Sequence, residues 1–125
     1  MTRSVVREKS YAFALRVIWL ARSLRVHREY DLASQVLRTG TSIGANVEEA
    51  QAAVSRKEFV AKMGIASKEA RETHYWLRLL RDSRTTPADH LSDIIADAEE
   101  LVRLLTAIVR TGQLGQKSGS PDSRS

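Results

Sequence analysis

VSRKEFVAKMGIASKEARETHYWLRLLRD, residues 54–82, decides the fold. Ser55 and Glu58 have the spacing of a capping box, in which the Ser55 hydroxyl takes the Glu58 N–H and the Glu58 carboxylate reaches back to the Ser55 N–H. Val54 and Phe59 flank that box where a hydrophobic staple would close. Beyond it, Phe59, Met63, Ala66, Ala70, Thr73, Leu77 and Leu80 recur at intervals of four and three. That period keeps a nearly apolar seam on one face of a helix. A long helix with such a seam needs other helices to cover it, so the chain is expected to be all-α.

The first helix starts after Ser4, and its core stripe is Phe13, Val17, Leu20 and Leu24. At about 100° per residue, Tyr11, Leu15, Ile18, Trp19 and Val26 point away from that stripe, with Arg22 and Arg25 among them. A helix apolar on two sides needs two partners, one in its own bundle and one outside it. Residues 27–31 read as a short polar connection. The second helix carries Leu32, Val36, Ile43, Val47, Ala50 and Val54 on one face, with Gly40 and Gly44 inside it. An interior glycine costs about 1 kcal/mol relative to alanine. Gly40, Gly44 and Ala33 share one stripe, which points to close approach of a neighbouring helix. Gln35 and Asn46, at the other edge of the seam, are expected to hydrogen-bond a facing helix.

The 54–82 helix also has a second apolar strip, Ala61, Ile65, Trp76 and Leu79 with Glu72 among them, and a basic stripe of Lys68, Arg71, Tyr75 and Arg78. Thr86, Pro87 and Asp89 read as the opening of a fourth helix, with a cap, a proline at its first position and an acid in its first turn. Leu91, Ile94, Ile95, Ala98, Leu101, Val102, Leu105, Ile108 and Val109 give that helix one broad buried face. The expected architecture is an up-down-up-down antiparallel four-helix bundle over residues 1–111. Residues 112–125, rich in Gly, Ser and Gln, are expected to form a disordered tail.

Composition agrees with one domain: 125 residues, 42% of them hydrophobic. The absence of cysteine excludes disulfide, zinc–thiolate and thiol chemistry. Nothing approaches the ~20 apolar residues of a membrane-spanning helix and the N-terminus lacks an apolar signal core, so a cytoplasmic protein is expected. The net charge of +5 is unevenly distributed. Residues 3–29 hold seven basic and two acidic residues, 30–54 one and three, 55–84 eight and four, and 88–110 two and five. In an up-and-down bundle this alternation sets opposite charges on neighbouring helices.

Several ungapped stretches resemble a known family. Ser4 to Leu15 (SVVREKSYAFAL), Leu37 to Ala50 (LRTGTSIGANVEEA), Ser55 to Phe59 (SRKEF) and Lys68 to Asp82 (KEARETHYWLRLLRD) are similar to the bacterial four-helix-bundle family of ribosomal-RNA intervening-sequence proteins. The resemblance spans residues 4 to about 110 and departs from the usual pattern at Arg25 to Glu29 and at Ser67. It implies a ring-shaped homopentamer with a nucleic-acid-facing surface. It brings no established catalytic residues.

Enzyme signatures are missing from the residues themselves. His27, His74 and His90 have no acid three positions earlier, so the Glu-x-x-His pairs of di-iron bundles are absent. There is no phosphate loop, zinc-protease helix or nucleophile elbow. Adjacent Glu48 and Glu49 point in different directions on a helix, and are expected to be one solvated and one salt-bridged acid. The protein is therefore expected to be non-enzymatic, with no cofactor, metal, membrane or small-molecule substrate. Lys68, Arg71, Tyr75 and Arg78, joined by Lys62 or Arg81, are the candidate nucleic-acid-binding residues. Tyr11, Leu15, Ile18, Trp19, Ile65, Trp76 and Leu79 are the candidate subunit interface. Two functions stay open at this point: a homo-oligomeric scaffold that binds RNA or DNA, and a protein-partner adaptor or structural protein with no nucleic-acid activity.

Overall fold

In the computed structural model, which describes residues 4–87 and 90–118, four helices follow one another. They are α1 (Val5–Val26), α2 (Tyr30–Gln51), α3 (Arg56–Asp82) and α4 (Ser92–Ser118). Among the described residues there is no strand. Cross-helix pairs set the directions. Arg7 meets Glu48 and Val17 meets Gly40 between α1 and α2, and Lys9 meets Glu100 and Arg16 meets Asp97 between α1 and α4. Lys62 meets Glu49 and Arg38 meets Glu72 between α2 and α3, and Arg71 meets Thr106 and His74 meets Glu99 between α3 and α4. Residue numbers rise on one helix as they fall on its neighbour, so each adjacent pair is antiparallel. α1 packs on α2, α2 on α3, α3 on α4, and α4 closes back on α1. α1 and α3 are therefore diagonal.

The seam of α3 is buried as its period predicts. Met63, Ala66, Ala70, Thr73, Leu77 and Leu80 are at most 1% exposed, and Phe59 packs against the same core. Met63, Ala66, Ala70, Leu77 and Leu80 meet Phe13, Val17 and Leu24 of α1, Val36, Ile43 and Val47 of α2, Leu91 just before α4, and Ala98, Leu101 and Leu105 of α4 in one cluster. Gly40 and Gly44 serve close approach. A Cβ on Gly40 would lie 2.7 Å from both methyls of Val17, and one on Gly44 would lie 3.4 Å from the Ser10 carbonyl oxygen.

The ends hold some differences. Ser4 caps α1 by accepting the Arg7 N–H, and Ser55 caps α3 by accepting the Glu58 N–H at 3.0 Å. The return arm of the box goes elsewhere: Glu58 Oε1 accepts the N–H of Val54, not that of Ser55. Val54 is 92% exposed, so the staple does not close and Val54 does not extend the α2 seam. Gln35 and Asn46 bond within their own helix, Gln35 accepting from Arg38 and Asn46 donating to the Ser42 carbonyl. A same-helix partner three or four residues away requires no exact facing register, and it satisfies the amide.

α4 begins at Ser92, five residues after Pro87, and the Pro87 carbonyl instead accepts the His90 N–H in the connection. Ala88 and Asp89 of the expected cap lie outside the described residues. At the other end α4 continues to Ser118, past the boundary at 111 that composition suggests. Packing explains this extension. Gly112 is buried against Val60 and Gly115 lies close to the Arg56 guanidinium, so the start of α3 supports the added turns. Residues 119–125 of the expected tail lie outside the described residues.

α1 and α3 end alike. The Glu29 N–H reaches the Leu24 carbonyl and the Arg28 N–H the Arg25 carbonyl; Thr85 and Arg84 do the same to Leu80 and Arg81. These are Schellman ends, which place Arg28 (φ 64°) and Arg84 (φ 60°) in the left-handed region. A residue with a Cβ is disfavoured there by about 1 kcal/mol or more. Arg28→Gly and Arg84→Gly should each raise the unfolding free energy by about 1 kcal/mol, read from the urea midpoint.

Candidate interaction faces

The charge alternation of the sequence becomes a set of inter-helix ion pairs. α1 gives Arg7 to Glu48 of α2, and Lys9 and Arg16 to Glu100 and Asp97 of α4. α3 gives Lys62 to Glu49 of α2 and takes Arg38 of α2 on Glu72, while the His74 ring lies within hydrogen-bonding distance of Glu99 of α4 at 3.3 Å. Glu48 and Glu49 are thus both ion-paired, in opposite directions, because neighbouring positions on α2 face α1 and α3. Arg81 pairs with adjacent Asp82. Lys62 and Arg81 are consequently committed within the protomer.

The Arg7 guanidinium, hydrogen-bonded at 3.0 Å to both Glu48 oxygens, holds that carboxyl below its ordinary value. A depressed carboxylate stabilises the fold above its unfolded value, and the contribution is lost as pH falls through the folded one. A carboxyl NMR titration should therefore find Glu48 with a midpoint below that of an ordinary glutamate. In Arg7→Ala the midpoint should return to the ordinary range.

Lys68, Arg71, Tyr75 and Arg78 are all exposed on α3. Arg78 lies 6.0 Å from the Tyr75 ring centroid and Arg71 donates to the Thr106 hydroxyl of α4 at 2.8 Å. Among the described residues no salt bridge ties up Lys68, Arg71 or Arg78. The Arg71–Thr106 contact brings in two residues that the sequence pattern does not single out. Arg103 and Arg110, three before and four after Thr106, share its face of α4 and are exposed. The basic surface thus covers the α3–α4 flank and holds five cations. No period along one helix could reveal it, since it depends on the register between two.

The candidate interface residues fall on two separate faces. On α1, Tyr11 is 64% exposed, Trp19 60% and Leu15 39%, and Ile18 is half-buried. On α3, Ile65 is 41% exposed and Leu79 38%. Trp76 differs from these. It is half-buried, packs against the core, donates its indole N–H to Glu72 at 3.1 Å and meets the Tyr75 ring edge-on. Because α1 and α3 are diagonal, the two apolar faces look out from opposite sides of the bundle.

His27 Nδ1 bonds the Ser23 carbonyl, and His90 is exposed in the connection before α4. Among the described residues no three His, Cys, Asp or Glu side chains gather as a metal site, and no helix is long and apolar enough to cross a membrane.

The chain matches the family model described as 23S rRNA-intervening sequence protein over residues 2–107. Among solved structures it is similar to a protein of unknown function from the S23 ribosomal protein family of Bacteroides thetaiotaomicron. The two are 42% identical, with a TM-score of 0.81, covering 84% of this chain and 98% of that one. No curated protein matches the chain. A family match over most of the length, together with a close structural relative of the same four-helix form, assigns this chain to the 23S rRNA-intervening sequence protein family.

Proposed function

We propose that this protein is a non-enzymatic, cytoplasmic, homo-oligomeric scaffold: a pentameric ring of bundles that docks RNA or DNA on its α3–α4 flank. The observation that carries the reading is the pair of apolar faces left open on diagonal helices. Single exposed apolar residues are ordinary on a monomer, but contiguous rows are the mark of an interface. Two such rows on opposite sides are not both covered in a two-fold dimer. Repeating one head-to-tail contact covers both, and a rotation between copies that returns the last copy to the first closes them into a ring. Five copies is the ring size that the family resemblance implies.

Nucleic acid fits the flank because Lys68, Arg71, Arg78, Arg103 and Arg110 are spread over two helices with Tyr75 among them, and a ring repeats the patch in every copy. Five neutralised phosphates per protomer on duplex correspond to a log affinity against log salt slope of about −4.5. Anisotropy titrations on a labelled RNA hairpin and a DNA duplex from 50 to 200 mM salt test this. Binding that weakens steeply with salt supports the proposal. Absence of binding at the lowest salt removes the nucleic-acid role and leaves the adaptor for a protein partner.

A further inference from the structure

Resting on the ring reading above, we infer that the ring contact is made by the outer ridge of α3 in one copy entering the groove between α1 and α2 of the next. The groove has a volume of about 170 Å³ and is lined largely by small residues, Ser10, Ala14, Thr41, Gly44 and Ala45, with Tyr11 and Glu48 completing it. That is room for one aliphatic side chain. The opposite side of the same bundle presents projecting side chains, Ile65 and Leu79, with Trp76 beside them. A second copy therefore supplies the shape that the first lacks.

Heights along the bundle agree. Arg7 against Glu48 and Gly40 against Val17 set α1 relative to α2, and Lys62 against Glu49 and Arg38 against Glu72 set α2 relative to α3. By that register Tyr11, Ala45 and Ile65 share one level, and Trp76 and Leu79 fall between the levels of Trp19 and Val26. Copies standing side by side at equal height would place Ile65 at the groove and set Trp76 and Leu79 against the exposed end of α1. The α3–α4 flank stays uncovered, so assembly and nucleic-acid docking use different surfaces.

Mixing variants tests the pairing. Ala45→Arg blocks the groove and Leu79→Arg blocks the ridge, and both positions are exposed in the protomer, so each variant keeps its fold. Each alone is expected at the one-chain mass of 14.0 kDa. Mixed in equal amounts they should form a two-chain species, because one intact groove and one intact ridge remain. The chain has no cysteine, so Ala45→Cys/Ile65→Cys can be oxidised cleanly. The doubly substituted protein should give a ladder of covalent oligomers, and neither single cysteine should give dimers. Full assembly by either arginine variant, a mixture that stays at the one-chain mass, or dimers from a single cysteine would overturn this contact and leave the ring itself standing. An unsubstituted protein at the one-chain mass would overturn the ring reading.

Discussion

Gly40→Leu is expected to cost about 3 kcal/mol or more of folding stability, the largest loss of any single substitution considered for this bundle. A Cβ at position 40 would lie 2.7 Å from both Val17 methyls, and Val17 is fully buried. A valine in a helix holds essentially one χ1 rotamer, so its methyls cannot swing aside. Leucine adds three more carbons to that clash and forces α1 and α2 apart along the core. Gly40→Ala adds only the Cβ. There the overpacking cost of about 1–3 kcal/mol is partly offset by the ~1 kcal/mol that alanine gains in a helix, leaving a small net loss. Gly64 in α3 is the control: a Cβ there would have nothing within 4 Å of it, so Gly64→Ala should gain up to about 1 kcal/mol. Urea midpoints for the three variants check the ordering. Equal stabilisation by Gly40→Ala and Gly64→Ala would mean that the helices do not approach closely at Gly40.

The second large effect is on binding. Arg71→Glu/Arg78→Glu reverses two cations at the centre of the α3–α4 flank and lowers the net charge per chain from +5 to +1. Loss of two phosphate contacts and gain of two repulsive ones in every copy should reduce nucleic-acid affinity on the order of a hundredfold or more at low salt. The fold should survive, since both side chains are exposed and the Arg71–Thr106 hydrogen bond lies at the surface. Arg25→Glu/Arg28→Glu removes the same charge at the α1–α2 connection, away from the flank, and should leave most of the affinity. Equal losses in the two variants would show that net charge alone attracts the nucleic acid. Lys68→Ala is a milder probe and should reduce the salt slope by about one.

How much of this was readable in the residues depends on whether the determinant is local. The α3 seam, the Ser4 and Ser55 caps and the glycine stripe on α2 are periodic or short-range, and each is where the pattern puts it. The alternating charge of the four segments also predicts ion pairs between neighbours, because helix order alone decides who faces whom. Local signals fail where packing decides. Pro87 has the look of a first helical residue, yet α4 starts at Ser92; polar composition suggests an end at 111, yet contacts of Gly112 and Gly115 with the start of α3 carry the helix to Ser118. Arg28 and Arg84 occupy positions where glycine is usual, so their Schellman ends leave no trace in composition. Arg103, Arg110 and the α1–α2 groove arise only when two helices are brought into register, which no single-helix period encodes.

Assembly is the claim on which both proposed surfaces depend, and the mass of the unsubstituted protein in solution tests it most directly. Light scattering behind size exclusion at micromolar concentration should give roughly 70 kDa, five copies of the 14.0 kDa chain. A mass of one chain at that concentration would contradict the account.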